Sequence, residues 1–167
     1  MSYADAQAWL RREYPHVAVG FLPESPDHAA ALTGLAEQVF GVLGRKCEAE
    51  GRDLTGPLEA LVRMSADFLR LQPRFMKTGR YGRSGGAALQ ERFYSRQDVM
   101  EGYYLDGLLL TYAFWVNHVR LFRFFVEEFL RPLPAQARLL ELGVGHGLMA
   151  ATALGRLPPA PYDGIDL

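Results

Sequence analysis

The sequence predicts a mainly α-helical N-terminal domain at residues 1–134. The start of an α/β domain follows at 135–167, holding its first two parallel strands. Three observations predict this. Apolar residues recur at helical spacing through most of the first 131 residues. An apolar strand at 138–142 runs into a glycine turn, Gly143-Val-Gly-His-Gly147. A second short strand, Tyr162-Asp-Gly-Ile-Asp166, follows a helical stretch, as in a strand–helix–strand unit of a parallel sheet.

The elements follow in order. Tyr3, Ala6, Leu10 and Tyr14 share one face of a helix over about 3–14, ended by Pro15. Ser25-Pro26 supplies an N-cap and a first-turn proline. The helix after it carries Leu32, Leu35, Val39 and Leu43 on one stripe, runs to about Glu50 and stops at Gly51. Thr55-Gly-Pro57 opens a third helix with Leu58, Leu61, Met64, Phe68 and Leu71 inward, and Pro73 is expected to end it. Residues 77–86 form a basic loop in which Gly79, Gly82, Gly85 and Gly86 argue against regular structure. A short helix around 87–94 precedes the longest predicted element, about 96–131.

In that element positions 105, 108, 112, 115, 119, 122, 126 and 129 are apolar, a helical seam. Leu110, Phe114, Leu121 and Phe125 add a second stripe beside it. A helix so apolar is either a central core element or a subunit contact. The aromatic helix 96–131 is therefore also the expected face of a homodimer. Pro132 and Pro134 end it and lead into the strand.

Bulk properties narrow the function class. Hydrophobic content of 49% and charged content of 22% are those of a globular chain. A net charge of −1 gives no basic field for nucleic acid. Cys47 has no second cysteine to pair with, which fits a reducing compartment. The N-terminus lacks a signal-peptide pattern, and the apolar run Leu108–Val116 is too short to span a bilayer. The expectation is a cytoplasmic protein with no membrane partner. Lysine occurs only at 46 and 77 while arginine is frequent, a usage associated with GC-rich bacterial genomes. The histidines at 16, 28, 118 and 146 make no metal-ligand pattern; of these, 118 and 146 are the informative ones.

The turn carries the chemistry. Its pattern is Glu141-x-Gly143-x-Gly145-x-Gly147, after Leu139-Leu140 and before a helix-forming run from Leu148 to Leu154. Glycine permits left-handed backbone and close ligand approach, and the helix start adds unpaired amide donors. A nicotinamide fingerprint would place its third glycine at 148, which is leucine. Asp166 follows Glu141 by 25 residues (166 − 141), at the end of the second strand.

These residues resemble the opening unit of class I S-adenosylmethionine-dependent methyltransferases, over about 137–167. The resemblance implies a Rossmann-like domain binding S-adenosyl-L-methionine. Gly143, Gly145 and Gly147 would shape the turn, with His146 among them. Glu141 would orient the turn toward the methionine end. Asp166 would hold the ribose diol, for which a carboxylate offers two strong acceptors. The family's sheet has seven strands, of which two are encoded here. Either a partner chain supplies the remainder or this is a fragment of a longer enzyme, inactive by itself; the fragment is the expectation.

Other residues have two readings each. His118 fits a general base and equally a hydrogen-bonded core histidine. His146 fits proximity to the transferred methyl or a solvent-facing loop residue. Tyr94, Tyr103 and Tyr104 fit ordinary packing or an aromatic wall for a sulfonium, and Tyr104 is counted with the cofactor-binding residues. Lys77, Arg80 and Arg83 fit a grip on an acidic substrate or a solvated loop. The complete protein is expected to methylate an oxygen, nitrogen or carbon nucleophile of a small molecule or peptide, such as a natural-product scaffold. In-line geometry would do most of the work, and the helical domain would cap the site. The competing reading is a non-catalytic interaction or dimerisation module carrying a degenerate methyltransferase stub.

Overall fold

The computed structural model describes residues 1–18, 26–80, 90–157 and 161–166, with 26–32 and 92–93 described through their backbone. Helix α1, Tyr3–Glu13, begins at Ser2 with a reciprocal cap. The Asp5 amide donates to Ser2 Oγ at 3.2 Å, and the Ser2 amide donates to the Asp5 carboxylate at 2.9 Å. Pro15 ends α1 as expected and also opens a short helix, α2, Pro15–Ala18. Helix α3, Pro26–Ala49, is closed by Gly51 at φ 65°. The cap assigned to Ser25 lies outside the described residues.

Helix α4, Thr55–Thr78, corrects the expectation that Pro73 is a stop. The chain passes through Pro73 and ends at Gly79, whose left-handed φ of 62° lets its N–H cap the Phe75 carbonyl at 2.7 Å. Proline removes one helical hydrogen bond, but the Leu69 carbonyl it orphans lies on an exposed stretch where water can serve it. The inner face is corrected too. Leu58, Leu61 and Met64 are buried, whereas Phe68 and Leu71 are exposed.

The predicted helix 96–131 is two helices. The first, α6, covers 97–114 as Gln97–Val99, a π-helical stretch Met100–Leu105, and Asp106–Phe114. A separate π turn before it, α5, is Gln90–Tyr94. The second, α7, covers 116–130 as Val116–Phe124 and π-helical Phe125–Leu130. Trp115 stands between them with extended backbone, φ −100° and ψ 117°. Its N–H still closes α6 on the Thr111 carbonyl at 2.7 Å. Its ring packs edge-on to Phe68 at 5.2 Å and beside His118 at 5.2 Å. Packing of that ring overrides the helical periodicity, which continues in sequence across the break.

Helix α6 packs on both α3 and α4. Leu10, Val39, Leu43, Leu58, Leu61, Leu110 and Phe114 are the large fully buried apolar side chains at the centre. A Cβ built on Gly107 would stand 3.3 Å from the Ala60 backbone, so α6 and α4 meet backbone against backbone. The aromatic segment therefore spends Leu110, Tyr112, Phe114, Val119 and Phe122 on this chain's own core. That removes most of the face expected to form a homodimer and leaves Leu121, Phe124 and Phe129 exposed.

Among the described residues two strands form the sheet. Strand β1, Leu139–Leu142, starts one residue later than predicted. It is followed by α8, Leu148–Arg156, and by β2, Tyr162–Ile165. The strands are parallel, with Leu139 opposite Tyr162 and Leu142 opposite Ile165. Leu148 belongs to the helical core cluster and Met149 packs against it. Through Leu148 and Met149, α8 thus shares the core of the helices that precede it.

Candidate functional site

The glycine turn forms between β1 and α8 where the sequence places it. Gly143, Gly145 and Gly147 have φ of 78°, 54° and 74°, a region strained for any residue with a Cβ. A Cβ built on Gly143 or Gly147 would meet no atom within 4 Å, so the turn borders open space. From the other side β2 presses close. A Cβ on Gly164 would stand 2.8 Å from Val144 Cγ2. A side chain at 164 would force Val144 to shift, and the contact brings the end of β2 against the turn.

Asp166 sits at that end. Its carboxylate accepts a hydrogen bond from the Gly145 amide at 2.5 Å. Tyr104 lies nearby on α6. Burial raises its phenol pKa, with the negative charges of Tyr94 and Asp166 adding to the effect. Tyr94 from α5 meets Tyr104 edge-on at 6.4 Å. Glu141, inward on β1, accepts a hydrogen bond from the Tyr162 hydroxyl across the sheet. Burial and that bond push Tyr162 up to about 12.

His146 turns inward and is not a solvent-facing loop residue. Its Nδ1 accepts from the Leu148 amide at 3.2 Å, and its ring stands edge-on to Tyr112 at 5.1 Å. Accepting at Nδ1 puts the neutral ring's proton on Nε2. Burial, then the charge of His118, lowers its pKa to about 4. His118 also packs against Tyr112, at 5.0 Å. Burial lowers its pKa as well. Its Nδ1 lies 2.6 Å from Thr111 Oγ1.

The linkage has a definite sign. The folded chain resists protonating His146 below the unfolded value of 6.5, so the unfolded state binds more protons between there and about 4. We expect the melting temperature to fall as pH drops through that window. His146→Gln should flatten this part of the profile; an unchanged slope would refute the placement of His146.

Beside this cluster lies a cavity of about 400 Å³ between α4, α6 and the start of α7. Met64, Phe68, Leu71, Leu108 and Trp115 give it apolar walls. Tyr103, Tyr104, Asp67, Arg70 and His118 add polar groups. Tyr103 donates to the Asp67 carboxylate at 2.8 Å and carries the Arg63 guanidinium over its ring at 5.4 Å. Burial and Asp67 push its pKa up to about 12. Tyr104 lines the cavity, and its phenol also feels the charge of Asp166.

The structure thus sets Glu141, Gly143, Gly145, His146, Gly147 and Asp166 on the turn and its two strands, links His118 to His146 through Tyr112, and places Tyr104 and His118 on the cavity wall. It does not bring in Lys77 or Arg80, which are exposed and do not line the cavity. Arg83 lies outside the described residues. Sequence reasoning missed Thr111, Tyr112 and Asp67. Thr111 carried a signal, as the one aliphatic hydroxyl in the apolar run Leu108–Val116, seven residues before His118. Among the described residues, no group of three or more His, Cys, Asp or Glu side chains stands close enough to hold a metal ion, so the His118–His146 pair lacks a third ligand. Comparison of the chain with protein-family models, curated proteins and solved structures yields no match.

Proposed function

We propose that this chain carries the first cofactor-binding unit of a class I S-adenosylmethionine-dependent methyltransferase. The whole enzyme would transfer a methyl group to an oxygen, nitrogen or carbon nucleophile of a small molecule or peptide. One observation carries the reading. A left-handed glycine turn opens α8 between two parallel strands, and the carboxylate ending the second strand is fixed against that turn. The residues fit the cofactor. Bare glycines leave room beside Gly143 and Gly147, and an anchored carboxylate suits a ribose diol. Tyr104, whose phenol feels the charge of that carboxylate, would offer an aromatic wall. The bound cofactor would supply an already activated methyl group. The chain's own task is then alignment and exclusion of water. The helical part would cap the site and choose the substrate.

The test is S-adenosylmethionine titrated at millimolar concentration into the ¹⁵N-labelled chain. The amide signals of Gly143, Gly145 and Gly147 should shift. In Asp166→Ala the apparent affinity should fall by about one to two orders of magnitude, as expected for losing hydrogen bonds to a charged group. Absence of glycine shifts, or an equal response from Asp166→Ala, would refute the reading. One observation favours the alternative, an interaction module with a non-catalytic stub. Leu121, Phe124 and Phe129 of α7 are exposed beside Leu140 and Leu142 of β1, an apolar face of the kind that marks protein contacts.

A further inference from the structure

Thr111 has one hydroxyl proton and two close neighbours. Its Oγ1 lies 2.5 Å from the Leu108 carbonyl oxygen and 2.6 Å from His118 Nδ1. The carbonyl can only accept. If the hydroxyl proton pointed at His118, two oxygens would face each other at 2.5 Å with no proton between them. The proton therefore lies toward Leu108, and Thr111 Oγ1 accepts from His118 Nδ1–H. This fixes the tautomer and leaves the lone pair on Nε2. Among the described residues no hydrogen-bond partner meets Nε2, and the His118 ring lines the apolar cavity. The cavity's other titratable groups serve less well as bases. Asp67 already accepts from Tyr103 and pairs with Arg70; Tyr103 and Tyr104 are protonated phenols, and Arg70 is a cation.

We propose that this cavity binds a planar aromatic alcohol, a phenol or naphthol in class, and that His118 Nε2 accepts its hydroxyl proton. Its volume lies in the range of small-molecule sites, and Phe68 and Trp115 supply ring faces and edges for a flat apolar body. In the step the substrate O–H bond breaks, an N–H bond forms at Nε2, and the oxygen keeps the electron pair. The product ring is an imidazolium whose Nδ1–H stays on Thr111, which acts as a positioning residue. The inference rests on the proposed methyl transfer for its purpose, since the oxygen so freed is the nucleophile. Its test involves no cofactor.

The probe is 2-naphthol, followed by fluorescence on the purified chain. Its excited state is a strong acid that also loses its proton to bulk water, so the emission read throughout is that of the bound probe, with the free probe's emission subtracted. Saturable binding with naphtholate emission is expected. Phe68→Ala, at an exposed position, should weaken binding about tenfold. His118→Gln should bind within about twofold of the parent yet emit as neutral naphthol. Thr111→Val should behave like His118→Gln, and Thr111→Ser should restore naphtholate emission. Binding of 2-methoxynaphthalene, which has no proton to give, should be indifferent to His118→Gln. No saturable binding, equal binding by Phe68→Ala, or naphtholate emission that survives His118→Gln would overturn the proposal. Failure of S-adenosylmethionine to move the glycine amides would leave all of these readouts unchanged.

Discussion

Phe114→Ala is expected to lower the unfolding free energy by about 4 kcal/mol, the usual loss for removing a large buried ring. Phe114 is 0% exposed and ends α6. Its ring stands 5.3 Å from Tyr3 on α1 and 6.1 Å from Phe40 on α3. One side chain therefore ties three helices, and its removal leaves a void that the rigid backbone on either side is slow to fill. Phe114→Leu keeps most of the volume and should lose only about 1 kcal/mol. Urea unfolding followed by circular dichroism measures both. A loss under half the expected value for Phe114→Ala would mean that the three helices do not meet at this ring.

Asp106→Ala should destabilise the chain by about 3 kcal/mol. Asp106 is 2% exposed and sits in α6, where it accepts from Lys46 Nζ at 2.7 Å and from Arg52 at 3.2 Å. Lys46 and Arg52 are each about a third exposed, so the loss sits at the low end for a broken buried pair. Arg52 keeps Glu50, whereas Lys46 is left half-buried without its carboxylate. The double variant Asp106→Leu with Lys46→Met replaces charges by apolar volume and should recover much of the stability. Equal loss in the single and double variants would show that the network is not what makes Asp106 matter.

The sequence legible at this site was its backbone chemistry. Gly143, Gly145, Gly147 and the acid at 166 follow local rules, because positive φ and strand ends are written in short stretches of chain. The elements α1, α3, β1 and α8 were legible for the same reason, within a residue or two at their ends. Trp115 was not. Its break arises from rings contributed by Phe68 and His118, and periodicity cannot register a tertiary contact that leaves the spacing intact. Pro73 misled in the opposite direction. A local rule for ending helices gave way because the stretch is exposed and Gly79 offered a better terminus. His146 and His118 were ambiguous singly, and their meaning lies in the shared Tyr112 between them, a relation across 34 residues (146 − 112) that no local pattern carries. Tyr104 beside Asp166 is a relation of the same kind.

The bond from Gly145 N–H to Asp166 has a consequence for when order is acquired. A five-residue turn with glycines at 143, 145 and 147 has unusual freedom in the unfolded chain, and fixing each residue's backbone costs about 1–2 kcal/mol of entropy. Here that freedom is surrendered during folding, when Asp166 and the close approach of Gly164 clamp the turn from β2. A molecule arriving later meets a rigid surface and need not organise it. The same clamp ties arrival to release. Anything that draws the Asp166 carboxylate away frees Gly145, so the mobility of the turn reports the occupancy of the acid.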